Sequence, residues 1–226
     1  MIQIAIDGPS GAGKSTLAKA LSKKLGFVYV DTGALYRAIG LFMYRLGLKM
    51  GDQENVIKEL PNVDVELKYD ENGQAVYLCG ENVNSQIRLP EISMWASYVS
   101  AIPEVRKFLF KIQKNIADNN NVVMDGRDIG TVIMPDAQVK IFLISSSSAR
   151  AERRFQELSD KGIFTNFESV LADINQRDKN DSSRSSAPLK KADDAVILDN
   201  SDYEFSETLS KALEIIESKI GKINKE

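Results

Sequence analysis

The run GPSGAGKS, residues 8 to 15, sets Gly8, Gly13, Lys14 and Ser15 in the spacing G-x-x-x-x-G-K-[ST]. Glycines let a backbone wrap so that consecutive amides point inward at phosphate oxygens, and a following helix N-terminus adds partial positive charge. Lys14 can then reach the β and γ phosphates of a nucleoside triphosphate, while the Ser15 hydroxyl suits Mg²⁺. The apolar run Ile2 to Ile6 precedes the motif, and Leu17, Ala18, Leu21 and Leu25 follow at helical spacing. That is the strand, loop and helix context the motif requires. A glycine-rich turn before an ordinary helix does not account for the complete pattern.

Three further stretches carry charge where an ordinary fold would not need it. In VVMDGRDIG, residues 122 to 130, an apolar strand ends in Asp125, Arg127 and Asp128. In DTGALYR, residues 31 to 37, Asp31 and Thr32 suit a helix cap. Tyr36 and Arg37 follow on the early turns, where a positive charge opposes the helix dipole unless an anion sits there. RDKNDSSRSSAPL, residues 177 to 189, spaces Arg177, Asp181 and Arg184 so that a helical or turn-like path could present all three to one ligand. On spacing alone, Asp181 reads equally as a salt-bridge partner.

Composition narrows the chemistry. The chain has 226 residues, 43% hydrophobic and 27% charged, with formal net charge −3. One fairly large domain with a real core is expected, with no bulk attraction to nucleic acid or an anionic membrane. The start, MIQIAIDG, lacks the features of a signal segment, so a cytoplasmic protein is expected. The single cysteine, Cys79, excludes an internal disulfide and a cysteine-based zinc site. There is no histidine, which removes histidine triads, general bases and metal ligands together.

The elements that must position these residues alternate. Strand candidates are Ile2 to Ile6, Phe27 to Val30, Val122 to Met124, Val139 to Leu143 and Ala195 to Leu198. Helical spacing follows each of the first two and recurs over Ser148 to Leu158, Phe167 to Arg177 and Phe205 to Ile220. An α/β fold with a five-stranded parallel sheet and helices on both faces is implied. Residues 63 to 80 break the rhythm, with period-two apolar residues around DENG reading as an antiparallel hairpin. A helix with Val105, Phe108, Leu109, Ile112 and Ile116 on one face comes later, and Arg106 lies off that stripe.

The four motifs in this order resemble bacterial cytidylate kinase, the (d)CMP kinase family of P-loop nucleoside monophosphate kinases. The match spans about residues 2 to 200. The resemblance implies a single kinase domain over 1–226. It comprises a core of about 1–60 and 105–226, a monophosphate-binding insertion of about 61–104, and a short lid of about 150–180. It implies ATP binding by Gly8, Pro9, Ser10, Gly11, Ala12, Gly13, Lys14, Ser15 and Thr16. Asp128 would accept from the cytosine N4 amino group, with Arg106 and Ser97 on the ring's other polar atoms. Thr32, Arg177 and Asp181 would surround the sugar. Arg37, Arg127 and Arg184 would clamp the monophosphate, with Tyr36 packed on the nucleotide.

Arg150 and Arg153 would close on the ATP phosphates from the lid, and Arg154 has the competing reading of a solvated helix face. Catalytic roles then fall to Lys14, Arg127, Arg184, Arg150 and Arg153. Asp125 reads either as ordering a water on Mg²⁺ or as capping the following turn. A monomer acting on ATP and CMP or dCMP is expected, without nucleic acid or membrane partners. Another small kinase acting on UMP or a metabolite, or a non-catalytic ATP-binding regulatory module, are the competing readings.

Overall fold

The computed structural model describes residues 1–70, 73–160, 162–184 and 186–222. In chain order its elements are β1 (Gln3–Asp7), α1 (Lys14–Leu25), β2 (Val28–Asp31), α2 (Thr32–Arg45), α3 (Gln53–Glu59) and β3 (Val65–Asp70). Next come β4 (Gly73–Leu78), β5 (Glu81–Asn82), α4 (Pro90–Val99), α5 (Pro103–Asn119), β6 (Val122–Gly126) and β7 (Val139–Ile144). The chain closes with α6 (Ser147–Asp160), α7 (Phe167–Ser182), β8 (Val196–Asp199) and α8 (Phe205–Ile220). Two compact units emerge, one of Met1–Val28 with Asn120–Glu226 and one of Tyr29–Asn119.

Among the described residues, five strands form one sheet in the order β2-β6-β1-β7-β8, as the alternating pattern predicts. The pairs of β1 with β6 and β7, and of β7 with β8, are parallel. Strands buried on both faces must be apolar throughout. Ile4, Ala5, Ile6, Val122, Val123 and Met124 are accordingly sealed from solvent. In this register Asp7 lies beside Gly126 and Ile6 beside Asp125, so the carboxyl ends of β1 and β6 arrive together. Chains leaving a parallel sheet at that end are where α/β folds place their ligands.

The first unit adds a helical hairpin, α6 and α7. Ala151, Val170 and Ile174 form its small core, with Phe155, Leu158, Phe167 and Leu171 against them. Asn166 caps α7 by accepting from the Ser169 amide at 2.7 Å. The helix runs to Ser182, five residues past Arg177, and so carries Asp181 on its last turn.

The second unit contains the whole 61–104 span expected as an insertion. β3 and β4 pair antiparallel, Val65 facing Leu78 and Leu67 facing Val76, and β5 extends the ladder. The expected turn at DENG includes Glu71 and Asn72, which lie outside the described residues. Lys161, Ser185 and residues 223–226 likewise lie outside them. The hairpin packs into a core with α2, α4 and α5. Helices α2 and α4 approach closely at Gly40, where a Cβ would lie 2.9 Å from Trp95 Cβ and 3.1 Å from the Ala96 nitrogen. The period-two pattern did not distinguish α3 or the two-residue β5, both too short to show a period.

Candidate functional site

The first unit holds a loop and a turn at the ends of β1 and β6. Gly8 leaves β1 with φ +150°, and a Cβ there would sit 2.0 Å from the Leu143 carbonyl oxygen. Only glycine can pass so close to the neighbouring strand. The loop closes on Gly13 in the left-handed region, and α1 begins at Lys14. Lys14 is buried, and its Nζ donates to the Pro9 carbonyl at 2.7 Å. Burial, with Arg127 and Arg177 adding to it, pushes its ammonium well below the ordinary lysine range, against Asp125 and Asp7. A lysine held in that way gains from any phosphate that comes within reach.

Two groups brace the loop from behind. Arg150 Nη1 donates to the Ser10 carbonyl at 2.9 Å, and its guanidinium also meets both oxygens of Asp178. Asn200 Nδ2 donates to the Ala12 carbonyl at 3.0 Å. Arg153 in turn donates to the Asn200 carbonyl at 2.8 Å. In this structure Arg150 therefore holds the loop's backbone directly, and Arg153 holds Asn200, which braces it. Arg154 pairs with Glu157 on an exposed helix face. Pro9, Gly11 and Thr16 lie at or near the surface of the loop.

Ser15 Oγ donates to Asp125 Oδ2 at 2.9 Å. A hydroxyl and a buried carboxylate in contact at the mouth of a phosphate loop are hard oxygen donors, the set that Mg²⁺ takes together with phosphate oxygens. Among the described residues no group of three or more histidines, cysteines, aspartates or glutamates could hold a metal ion.

Beyond β6 the chain turns at Arg127 and Asp128 into a single π-helical turn, Ile129–Ile133. Arg127 Nε donates to Asp181 Oδ2 at 2.8 Å, and Arg184 donates to Asp181 Oδ1. Burial opposes the Asp181 charge, but Arg127, Arg184 and Arg177 together hold its carboxyl below the usual aspartate value. Arg177 sits in the same group, and its buried Nε has no hydrogen-bond partner among the described residues. Burial, then the Arg127 charge, lowers the Arg177 guanidinium from its ordinary value. Three arginines about Asp181, with Asp178 also acting on Arg177, make a positively charged cluster of the kind that suits an anion. Asp128 is buried beside this cluster in the chain.

The second unit supplies its own constellation. Asp31 caps α2 by accepting from the Ala34 amide at 3.0 Å, and its other oxygen meets Arg88 at 2.8 Å. Thr32, next in the chain, is buried at the helix start. Arg37 donates to the Ile87 carbonyl at 3.2 Å and to Ser93 Oγ at 2.5 Å. Arg106 lies over the Tyr36 ring, 5.6 Å from its centroid, and donates to the Ser100 carbonyl at 3.1 Å. Ser97, half-buried on α4, offers its carbonyl to Ser100 Oγ. The off-stripe placement of Arg106 thus has a reason: it stacks on an aromatic face rather than packing in a core.

Sequence reasoning missed four supporting residues. Asp7 accepts from the amides of Ile129 at 2.8 Å and Gly130 at 2.7 Å. Asn200 braces the loop, Arg88 pairs with Asp31, and the Gln74 side chain accepts from the Asp31 amide at 2.8 Å. Only Asp7 had a local signal, an acid ending an apolar strand. The others act through contacts remote in sequence.

Comparison with known proteins decides among the readings. The family model described as "Cytidylate kinase" matches residues 4–218. The chain belongs to the cytidylate kinase family. The cytidylate kinase of Caldicellulosiruptor saccharolyticus is 48% identical over 97% of this chain and 97% of its own. That of Caldanaerobacter subterraneus subsp. tengcongensis is 48% identical over 95% and 94%. A solved, uncharacterised protein from Eubacterium ventriosum, 11% identical, superposes with TM-score 0.50 over 98% of this chain and 100% of that one. It shares the fold alone. The family is one of phosphotransferases, and its P-loop architecture is the one the sheet and loop display. No described helix is long and apolar enough to cross a membrane.

Proposed function

We propose that the chain transfers the γ-phosphoryl group of ATP to CMP or dCMP, giving ADP and CDP or dCDP, in pyrimidine nucleotide metabolism. The observation that carries this is the gathering of half-buried Arg127, Arg177 and Arg184 around the buried carboxylate of Asp181, in the unit that also holds the phosphate loop. A protein that only bound ATP would have no use for a second, separately built anion site.

The residues divide the work. Backbone amides of residues 8 to 16 and Lys14 hold the ATP phosphates. Arg127, Arg184 and Arg37 hold the monophosphate, while Asp128, Arg106 and Ser97 read cytosine and Tyr36 packs on the nucleotide. Thr32, Arg177 and Asp181 surround the sugar. Ser15, with Asp125 through water, would hold Mg²⁺, which when bound neutralises phosphate charge. Arg150, on the loop backbone, and Arg153, through Asn200, set its shape for ATP.

No histidine is needed for this reaction. A phosphate oxygen of CMP, already largely ionised because its second pKa is about 6, forms the new bond to the γ phosphorus. The bond from that phosphorus to the β-γ bridging oxygen breaks, and ADP leaves with the electron pair. What remains is alignment of two nucleotides and neutralisation of charge by Lys14 and the arginines. On this reading the enzyme is a cytoplasmic monomer.

An ADP-release assay with CMP, dCMP, UMP and AMP as acceptors tests the proposal. Turnover with CMP and dCMP well above the others is expected. Preference for UMP would move the reading to another nucleotide, and ATP binding without acceptor-dependent ADP release would make the chain a regulatory module.

A further inference from the structure

Asp7 is a buried acid that the transfer reaction does not call on, and both of its oxygens are engaged. Oδ1 accepts from the Ile129 amide at 2.8 Å and Oδ2 from the Gly130 amide at 2.7 Å, across more than a hundred residues of chain. Those two amides open the π-helical turn that follows Asp128. The Asp128 carbonyl starts that turn, accepting from Val132 at 2.8 Å and Ile133 at 3.3 Å. The first amides of any helical turn lack acceptors within it, and Asp7 supplies them. The other side of the turn is also filled. A Cβ on Gly130 would lie 3.1 Å from Lys140 Cδ and 3.4 Å from Asp7 Oδ2. Lys140 is itself held by the Pro135 carbonyl and by Asp194. The two peptides after Asp128 thus have no slack in either direction.

We propose that Asp7 is a positioning residue for the acceptor site, its carboxylate fixing the turn that aims Arg127 and Asp128. This rests on the reading of that turn as part of the CMP site. Asp7 also ends β1 immediately before Gly8, so one strand end orders two things. Its chain leads into the phosphate loop, and its side chain clamps the acceptor turn. Misplacing a substrate-holding group by about 1 Å is enough to lose on the order of 100-fold in rate.

Asp7→Asn keeps the side-chain shape but exchanges one acceptor for an NH₂ facing an amide N–H. Gly130→Ala crowds the same turn with a methyl set against Lys140 Cδ and Asp7 Oδ2, and leaves the carboxylate's charge in place. In each variant KM for CMP should rise on the order of 10- to 100-fold, with KM for ATP within about twofold of the parent. Equal losses for ATP and CMP, or an unchanged CMP KM, in Gly130→Ala or a folded Asp7→Asn would overturn the proposal. If Asp7→Asn does not fold, Gly130→Ala alone decides. Amide exchange of Ile129 and Gly130 separates the two layers. Slow exchange in the parent that becomes fast in Asp7→Asn supports the clamp even if the parent shows no turnover with CMP, a result that would sink only the functional reading. Unchanged exchange at both amides would sink the clamp itself.

Discussion

Arg127 Nε donates to Asp181 Oδ2 at 2.8 Å, joining the turn after β6 to the last turn of α7. Asp181 is almost sealed from solvent, and Arg184 occupies its other oxygen. The pair therefore answers the ambiguity of the spacing: Asp181 is a salt-bridge partner in the free chain. A carboxylate oxygen has lone pairs enough to accept from a sugar hydroxyl as well.

Removing that charge should destabilise the fold. Asp181→Asn leaves Arg127 and Arg184 without their counter-charge, and a loss of about 3 kcal/mol is expected at neutral pH. The sign with pH follows from the lowered folded pKa. The stabilisation is present above the unfolded value of 3.8 and is lost as pH falls through the still lower folded value. Denaturant titrations of parent and variant should converge at strongly acidic pH, and a gap that persists there would refute the assignment.

Lys14→Ala should lower kcat with CMP by at least about 100-fold while the chain stays folded, the scale for losing one stabiliser of developing charge. A second readout uses its depressed pKa. ATP phosphates add negative charge beside Lys14, so its pKa should rise on binding, and ATP binding should take up protons at alkaline pH. Calorimetry in buffers of different ionisation enthalpy measures that uptake, which Lys14→Ala should abolish.

Much of this was legible before the structure, for physical reasons that differ by element. The parallel sheet showed because β1, β6 and β7 are buried on both faces and must be continuously apolar. The phosphate loop showed because its glycines and Lys-Ser pair are contiguous. The α6 arginines were misleading guides to present geometry, because Arg150 finds Asp178 and the Ser10 carbonyl, partners 28 and 140 residues distant. Asp7, Asn200 and Gln74 act through single long-range hydrogen bonds, and no local periodicity records such a contact. The extent of α7 was under-read because DKNDS, its last turn, is wholly polar and carries no apolar marker.

The proposed roles of Asp128 and Arg106 in reading the base are tested by removing each. Asp128→Ala and Arg106→Ala should each raise KM for CMP by roughly 10- to 100-fold, the equivalent of ~1–3 kcal/mol of base discrimination, with KM for ATP little changed. Steady-state kinetics with each nucleotide varied in turn checks this. A parallel loss of ATP affinity in Asp128→Ala would return that residue to a structural role.

Gly8→Ala tests the loop's closeness to β7. The added methyl would lie 2.0 Å from the Leu143 backbone oxygen, and no flexible side chain is there to yield. The strand or the loop must shift, so ATP binding should fall by at least about tenfold and thermal stability should drop with it, as for other enforced backbone strain. Isothermal titration with ATP, beside a melting curve, decides; normal affinity at an unchanged Tm would contradict the geometry.

Arg177 offers the sharpest separation of stability from function. Its buried Nε has no hydrogen-bond partner among the described residues, and Arg127 and Arg184 repel it, against attraction from Asp181 and Asp178. Burial, then the Arg127 charge, lowers its guanidinium from the ordinary value, and an anion bound nearby would offset both. Arg177→Met keeps most of the stem and removes the charge. The unliganded variant should melt higher, by about 2–4 °C if ~1 kcal/mol is relieved in a chain of this length. CMP should nonetheless bind it more weakly, and the rise in Tm that CMP gives the parent, set by ligand concentration over Kd, should shrink. Melting curves of both proteins with and without CMP read all three quantities. A variant less stable than the parent without ligand, yet equally stabilised by CMP, would make Arg177 a structural residue and leave the anion site to Arg127 and Arg184.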